Sequence, residues 1–484
     1  MNKLKKKILD LEKISGDLEI SEPQRNEYLQ QIRDYANKFV NNLEDTKAYS
    51  DANIQPNVLA VDGGKKPLDE LIKLYKNEVA EKGINAASGK HFGYIPGGGL
   101  YASALADFLV DITNEYAGIY FSSPGAVTIE NELLDWLKSI FNFPENAVGN
   151  LTSGGSIATL IAFTAARDKH QIKSDKISNS VVYLSEQVHH CVNKTLRIIG
   201  LEDVIIRYIE LDDHSRIDAK SFELQIEQDK KAGLNPFLVV ASTGTTDTGA
   251  VDPLRAIGKI AQANELWFHV DAAYGGFFIL TEAKKALFDG VEMADSLIVD
   301  PHKGMFLPFG IGAVLVKDKE AVFHSNHYAA NYMQDAMLED IPTNPSDVSP
   351  ELTKHFRGLR MWLPLRLHGI EPFIACLTEK LLLTEYFRKR LVEIGFEVGP
   401  EPDLSVSYFW FAAKDLDENA FNKRLMELIH EDGRAFLSST VLKGRFVIRI
   451  AVLSFRTKLN EVDKAIEMIE EMKIKCLGEF NHAG

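Results

Sequence analysis

Between His269 and Val316 the chain reads HVDAAYGGFF, then DSLIVDPHKGMFLPFG, then IGAVLV, and this stretch constrains the fold more than any other. Two short apolar runs each end in a charge, one at Asp271 and the other at Asp300-Pro301-His302-Lys303. An uninterrupted β-branched run that stops at a charge reads as a buried strand delivering that charge to the carboxyl edge of a sheet. In open α/β sheets that edge is where ligands bind. A carboxylate, Asp271, and an amine, Lys303, are thus expected in one crevice, with His302 beside the amine. Strand-like and helix-like segments alternate from Leu151 to Val316, which predicts a mostly parallel, doubly wound sheet.

Composition narrows the class. The 484 residues suggest two or three domains, and a net charge of −15 argues against nucleic acid and anionic membranes as main partners. Nothing approaches the ~18 consecutive apolar residues of a transmembrane helix. The N-terminus MNKLKKKILDLEKISGDLEI mixes charges among its apolar residues, unlike a secretory signal. Cys191, Cys376 and Cys476 are far apart, show no zinc-type spacing and fit a reduced, cytoplasmic compartment.

A lysine is almost never fully buried without a reason. Covalent chemistry supplies one: an amine desolvated in a pocket has a lowered pKa and forms a Schiff base with a carbonyl. A Schiff-base lysine paired with an acid for a pyridinium nitrogen is the arrangement that serves pyridoxal phosphate. Upstream, NLTSGGSIATLIAFTAA (Asn150–Ala166) is a small-residue turn opening into an apolar helix. Backbone N–H groups and the helix dipole make such a start an anion site, in which Gly155 and Ser156 are the chief candidates. His189 and His190 lack further ligands at metal spacing, so no metal is expected. Asp252-Pro253 reads as a helix cap.

HVDAAYGG followed by DPHK closely resembles the group II decarboxylases, a pyridoxal-phosphate family, and the resemblance runs from about His91 to about Arg456. It implies a fold type I α/β architecture: a seven-stranded sheet, a smaller C-terminal α+β domain and an N-terminal helical segment. The expected divisions are 1–98, clasping a partner subunit in a homodimer; 99–366, binding the cofactor; and 367–484. The cofactor implied is pyridoxal 5′-phosphate, held as an aldimine of Lys303 with Asp271 at the ring nitrogen. Gln187-Val188-His189 matches the family's Gln-x-His, which places His189 on the ring; Thr246 and His302 anchor the cofactor and Ala273 packs beneath it. Tyr94 and Pro96 match a pattern that lines the substrate pocket, although a loop simply shaped by Gly and Pro reads equally well. A loop tyrosine protonates the product in the family. Tyr332 is the candidate, with Tyr328 nearby, while counting back from HFRGLRMW arrives at Pro345 instead.

Arg357 and Arg360 read as structural ion-pair residues, and Arg449 as either a substrate-carboxylate ligand or a structural group. The reaction implied is decarboxylation of an L-amino acid to its amine and CO2. An aromatic substrate is favoured, since no cationic pocket residue stands out and Gly358 leaves room for a ring. The alternatives are oxidative deamination to an aldehyde and decarboxylation of an acidic or aliphatic amino acid.

Overall fold

A computed structural model describes residues 1–50, 53–61, 63–327, 342–412 and 416–483. Helices α1 (Asn2–Ser15) and α2 (Glu22–Asn41) open the chain. Pro23 lies in the first turn of α2, where its missing N–H breaks no helical bond. Neither helix buries a residue. Leu4, Ile8, Leu11 and Ile14 recur at helical spacing on α1 and are all exposed, an apolar stripe its own chain leaves uncovered. Strands β1 (Tyr49–Ser50) and β2 (Gly83–Ile84) pair antiparallel around α3 (Leu68–Tyr75).

After α4 (Tyr101–Thr113) and α5 (Pro124–Phe141) the central sheet begins. Its strands are β3 (Val148–Thr152), β4 (Ser180–Leu184), β5 (Ile205–Tyr208), β6 (Asn235–Ser242), β7 (Trp267–Asp271), β8 (Ser296–Val299) and β9 (Gly312–Val316). They lie in the order β3-β9-β8-β7-β6-β4-β5, and only β9 runs against its neighbours. The sheet is therefore seven-stranded and mostly parallel, as the alternation and the resemblance imply.

Every residue of β4, β7, β8 and β9 is buried, because helices cover both faces. Val182 and Leu184 of β4 pack with α6 (Gly155–Lys169) and α7 (Cys191–Ile198). Their alternates Val181 and Tyr183 pack with α5, α8 (Ala219–Lys231) and α9 (Leu254–Ala263). That is the two-residue period of a strand serving two separate cores. Between β8 and β9 lies one helical turn, α10 (Pro301–Gly304), and α11 (Lys319–Asn326) follows β9.

Helices α12 (Gly358–His368) and α13 (Glu371–Glu393) lead to a second sheet of β10 (Glu397–Val398), β11 (Val406–Trp410), β12 (Ser438–Leu442) and β13 (Arg445–Ala451). It is antiparallel, ordered β10-β11-β13-β12, and shares a core with α13, α14 (Glu418–Asp432) and α15 (Leu459–Ala483).

Two expectations are corrected. Asp252 does not cap α9: Pro253 holds that place, and the buried carboxylate accepts N–H bonds from Ile217 and Ser242 at 2.8 Å each. It staples the end of β6 to the segment before α8. Gly358 leaves no room for a substrate ring, because a Cβ there would sit 3.2 Å from Ile129 and Phe356, where α12 crosses α5.

Candidate active site

Strands β3, β4, β6, β7 and β8 point the same way, and the residues following each converge on one edge. They enclose a cavity of about 290 Å³ lined by Ser153–Ser156 after β3, Gln187 and His189 after β4, Gly244–Thr246 after β6, Asp271, Ala273 and Tyr274 at β7, and Asp300, His302 and Lys303 after β8. The expected residues Gly155, Ser156, His189, Thr246, Asp271, Ala273, His302 and Lys303 are all in this lining.

Pro301 starts a single turn that lifts Lys303 over the end of β8. The Lys303 Nζ lies 3.0 Å from Asp300 Oδ2. Here the expectation of a depressed amine is overturned. Burial works to lower the Lys303 pKa, but Asp300 and Asp271 flank the ammonium and together hold it above the ordinary lysine range. Asp271 accepts the Ala273 N–H at 3.0 Å, and burial raises its pKa while Lys303 and that N–H oppose the rise.

The His302 Nδ1–H donates to the Ile311 carbonyl at 2.6 Å, and Nε2 lies 3.9 Å from Asp300 Oδ2. His189 takes the Cys191 N–H on Nδ1 at 3.2 Å, so its proton sits on Nε2. Burial first, then His190 and Lys303, hold the His189 pKa down to about 4, and the ring is neutral at pH 7. Burial likewise raises the Cys191 thiol to about 12, leaving it un-ionised beside the cavity.

Other expected residues lie elsewhere. Tyr94 and Pro96 do not line this cavity. Tyr94 adopts φ +53°, is 58% exposed and rests against Phe436. Its loop instead backs the lysine turn: a Cβ on Gly97 would sit 2.1 Å from the His302 carbonyl oxygen, so only glycine passes there. Tyr328 and Tyr332 fall outside the described residues. Arg357 pairs with Glu351 and Arg360 with Asp107, both structural as expected. Arg449 is buried and donates to the carbonyls of Thr246 and Asp247 and to Ser438 Oγ. It supports the Thr246 turn from behind.

Asp300, the first residue of the DPHK motif that carries the resemblance, joins the site as well. With Asp271 it sets two carboxylates against one amine, and its Oδ1 is buried with no hydrogen-bond partner among the described residues. The first amides of α6, which a helix cannot satisfy itself, open on the same space. The lining thus has a place for an anion, for a second cation facing Asp271, and for a carbonyl near Lys303. An aldehyde-bearing pyridinium phosphate carries all three.

Fold and cavity together define a pyridoxal-phosphate enzyme of fold type I. The sequence profile of the pyridoxal-dependent decarboxylase conserved domain matches residues 59–412. The chain is 33% identical over 425 residues to the aromatic-L-amino-acid decarboxylase of Bacillus atrophaeus, covering 86% of this chain and 87% of that protein. It is 29% identical to the phenylacetaldehyde synthase of Arabidopsis thaliana, over 93% and 95% of the two chains. Among solved structures, Oryza sativa TDC with PLP and tryptamine superposes at a TM-score of 0.88 with 24% identity, covering 94% of this chain and 99% of that one. The chain belongs to the pyridoxal-dependent decarboxylase family, and its cofactor is pyridoxal 5′-phosphate.

Proposed function

We propose that this carboxy-lyase acts on an aromatic L-amino acid, as a cytoplasmic homodimer. One observation carries the choice of substrate: Lys303 is the only lysine or arginine lining the described cavity, and it is already paired with Asp300. An acidic substrate side chain meets no spare cation there. Similarity to an aromatic-L-amino-acid decarboxylase, a tryptophan decarboxylase and a tyrosine decarboxylase supports the same reading.

Bound in this cavity, the cofactor would supply an aldehyde for the substrate's amino group and a protonated ring as the electron sink for loss of CO2. Asp271 keeps the ring nitrogen protonated by placing a carboxylate beside it in a low-dielectric wall. Lys303 anchors the aldehyde carbon between turnovers, and Ser153–Ser156 with His302 hold the phosphate. Neutral His189 closes one wall and directs its Nε2–H toward the substrate carboxylate. Thr246, braced by Arg449, and Ala273 line the same cavity and would help hold the ring. A proton must return to the substrate carbon, and Tyr332 is the proposed donor.

Residues 1–98 clasp the partner, 99–366 hold the cofactor and 367–484 form the small domain. The stripe on α1 and the exposed Leu105, Phe108, Leu109 and Ile112 of α4 supply the apolar surface for pairing. Among the described residues no helix is long and apolar enough to cross a membrane, and Cys191, Cys376 and Cys476 are free thiols suited to a reduced compartment.

The test is a screen of the twenty amino acids plus hydroxylated aromatics, reading CO2, amine, peroxide and ammonia. Amine with CO2 from aromatic substrates alone supports the proposal. Peroxide and ammonia with an aldehyde would shift it to the second reading, which the resemblance to a phenylacetaldehyde synthase favours. Turnover of glutamate alone would overturn the substrate class.

A further inference from the structure

We infer that Asp300 is a positioning residue that holds the Lys303 ammonium whenever that lysine is not bonded to the cofactor. The inference rests on reading Lys303 as the covalent anchor. Asp300 ends β8 and is 2% exposed. Its N–H reaches the Ala273 carbonyl at 3.3 Å, and its own carbonyl takes the Lys303 N–H at 2.8 Å, so acid and amine share one rigid turn. The carboxylate lies between the start of α6 and β9, where a Cβ on Gly155 would sit 3.1 Å from Oδ2 and one on Gly312 2.7 Å from Oδ1, so glycines at both places make room for it. Within that confinement Oδ2 contacts Nζ at 3.0 Å.

The chemistry needs such a holder. When substrate enters, the bond from the cofactor carbon to the Lys303 nitrogen is replaced by one to the substrate nitrogen. Two N–H protons pass from the substrate ammonium to the lysine nitrogen, and no electrons are gained or lost. The freed ammonium must then stay charged, off the substrate and within reach for the return step. Asp271 also faces it from β7, but that carboxylate is committed to the ring nitrogen. His302 lies 3.9 Å from the acid, while His189 and Cys191 on the β4 side are neutral and give the ammonium no counter-charge. Asp300 is left as the dedicated partner. The raised pKa of Lys303 agrees with this, since Asp300 is the first of the groups that oppose the effect of burial.

The test uses the cofactor-free full chain and pyridoxal, which lacks the phosphate. Lys303 is trapped with borohydride across a pH series and quantified by peptide mass spectrometry against exposed lysines in the same digest. In the wild type the labelling midpoint should lie above the exposed lysines, whose ordinary value is about 10.4. Asp300→Asn keeps the shape and removes the charge. It should lower the midpoint by about one pH unit or more and raise labelling at pH 8 about tenfold, the gain in neutral amine that such a shift produces. A wild-type midpoint at or below that of exposed lysines overturns the inference, whatever the variant does. So does an unchanged midpoint in Asp300→Asn. The readout is the titration of one amine, so a failed decarboxylation screen and a failed midpoint are separate results.

Discussion

Two paired lysines, Lys303 partly exposed at the cavity and Lys354 fully buried away from it, show what separates a reactive ion pair from a structural one. Lys354, in the segment entering α12, is fully buried against Glu130 on α5, whose side chain is 1% exposed. Its Nζ also reaches Asn150 Oδ1 at 2.9 Å, and Asn150 Nδ2 donates to the Pro345 carbonyl at 2.8 Å. Glu130 accepts the Leu151 N–H at 3.0 Å. This cluster ties α5 and β3 to the chain that returns after residue 341. Burial outweighs Glu130 and lowers the Lys354 pKa, whereas Asp300 and Asp271 raise that of Lys303. The sealed pair has one acid for one amine, and neither residue lines the cofactor cavity. The cavity pair has a surplus carboxylate and an opening, which is why a ligand can complete it.

The contrast breaks most sharply on removing each amine. Lys303→Ala should cut kcat per folded molecule by more than about 10³-fold, as loss of a covalent residue does, with any cost in urea unfolding a secondary effect of leaving Asp300 unpaired. Lys354→Met should do the reverse. Leaving Glu130 buried without its cation costs about 3–5 kcal/mol of stability, read in urea unfolding, with turnover per folded molecule preserved. If Lys354→Met abolished turnover without loss of stability, the distinction would fail. A smaller effect is expected from Asp271→Asn, which keeps the shape but no longer stabilises the ring proton. Its kcat should fall on the order of 10²-fold, comparable to loss of one preorganised electrostatic contact. The bound-cofactor absorbance should titrate at lower pH than in wild type.

The same contrast marks how far the sequence could be read. Runs such as SLIVDPHK and WFHVD are legible because a strand buried on both faces has no polar alternation, so its terminal charge stands out. Asp271 and Lys303 were found that way. Asp300 is not legible in the same way, because it shares one turn with Lys303 and only their contact in space separates the two roles. Whether the amine is raised or lowered was likewise out of reach, since it depends on how many carboxylates meet it in space. Gly358 was misread for a related reason: a small residue makes room, but only the crossing of α12 over α5 shows what fills it. In the small domain the β12–β13 hairpin turns at Lys443-Gly444, both with positive φ, a signal only two residues long between the strands.

His91 extends the comparison to a buried titratable group with neither a cavity nor a partner. It is 4% exposed, and among the described residues neither ring nitrogen finds a hydrogen bond. Burial holds its pKa down to about 4 against an ordinary value of 6.5. The unfolded chain therefore binds a proton below pH 6.5 that the folded protein refuses until about pH 4. Stability contributed by the neutral ring is complete above pH 6.5 and is lost as pH falls through that window. At pH 5 the loss from this one residue is roughly 2 kcal/mol, at 1.36 kcal/mol per pH unit. His189 and His269, with pKa values near 4 and 3, act in the same direction, so the whole protein should weaken on acidification. His91→Phe keeps a ring beside Phe436 and removes one of these contributions. Urea midpoints at pH 7 and pH 5 should therefore lie closer together in the variant than in the wild type. An equal gap would mean that His91 finds a counter-charge on folding and belongs with Lys354.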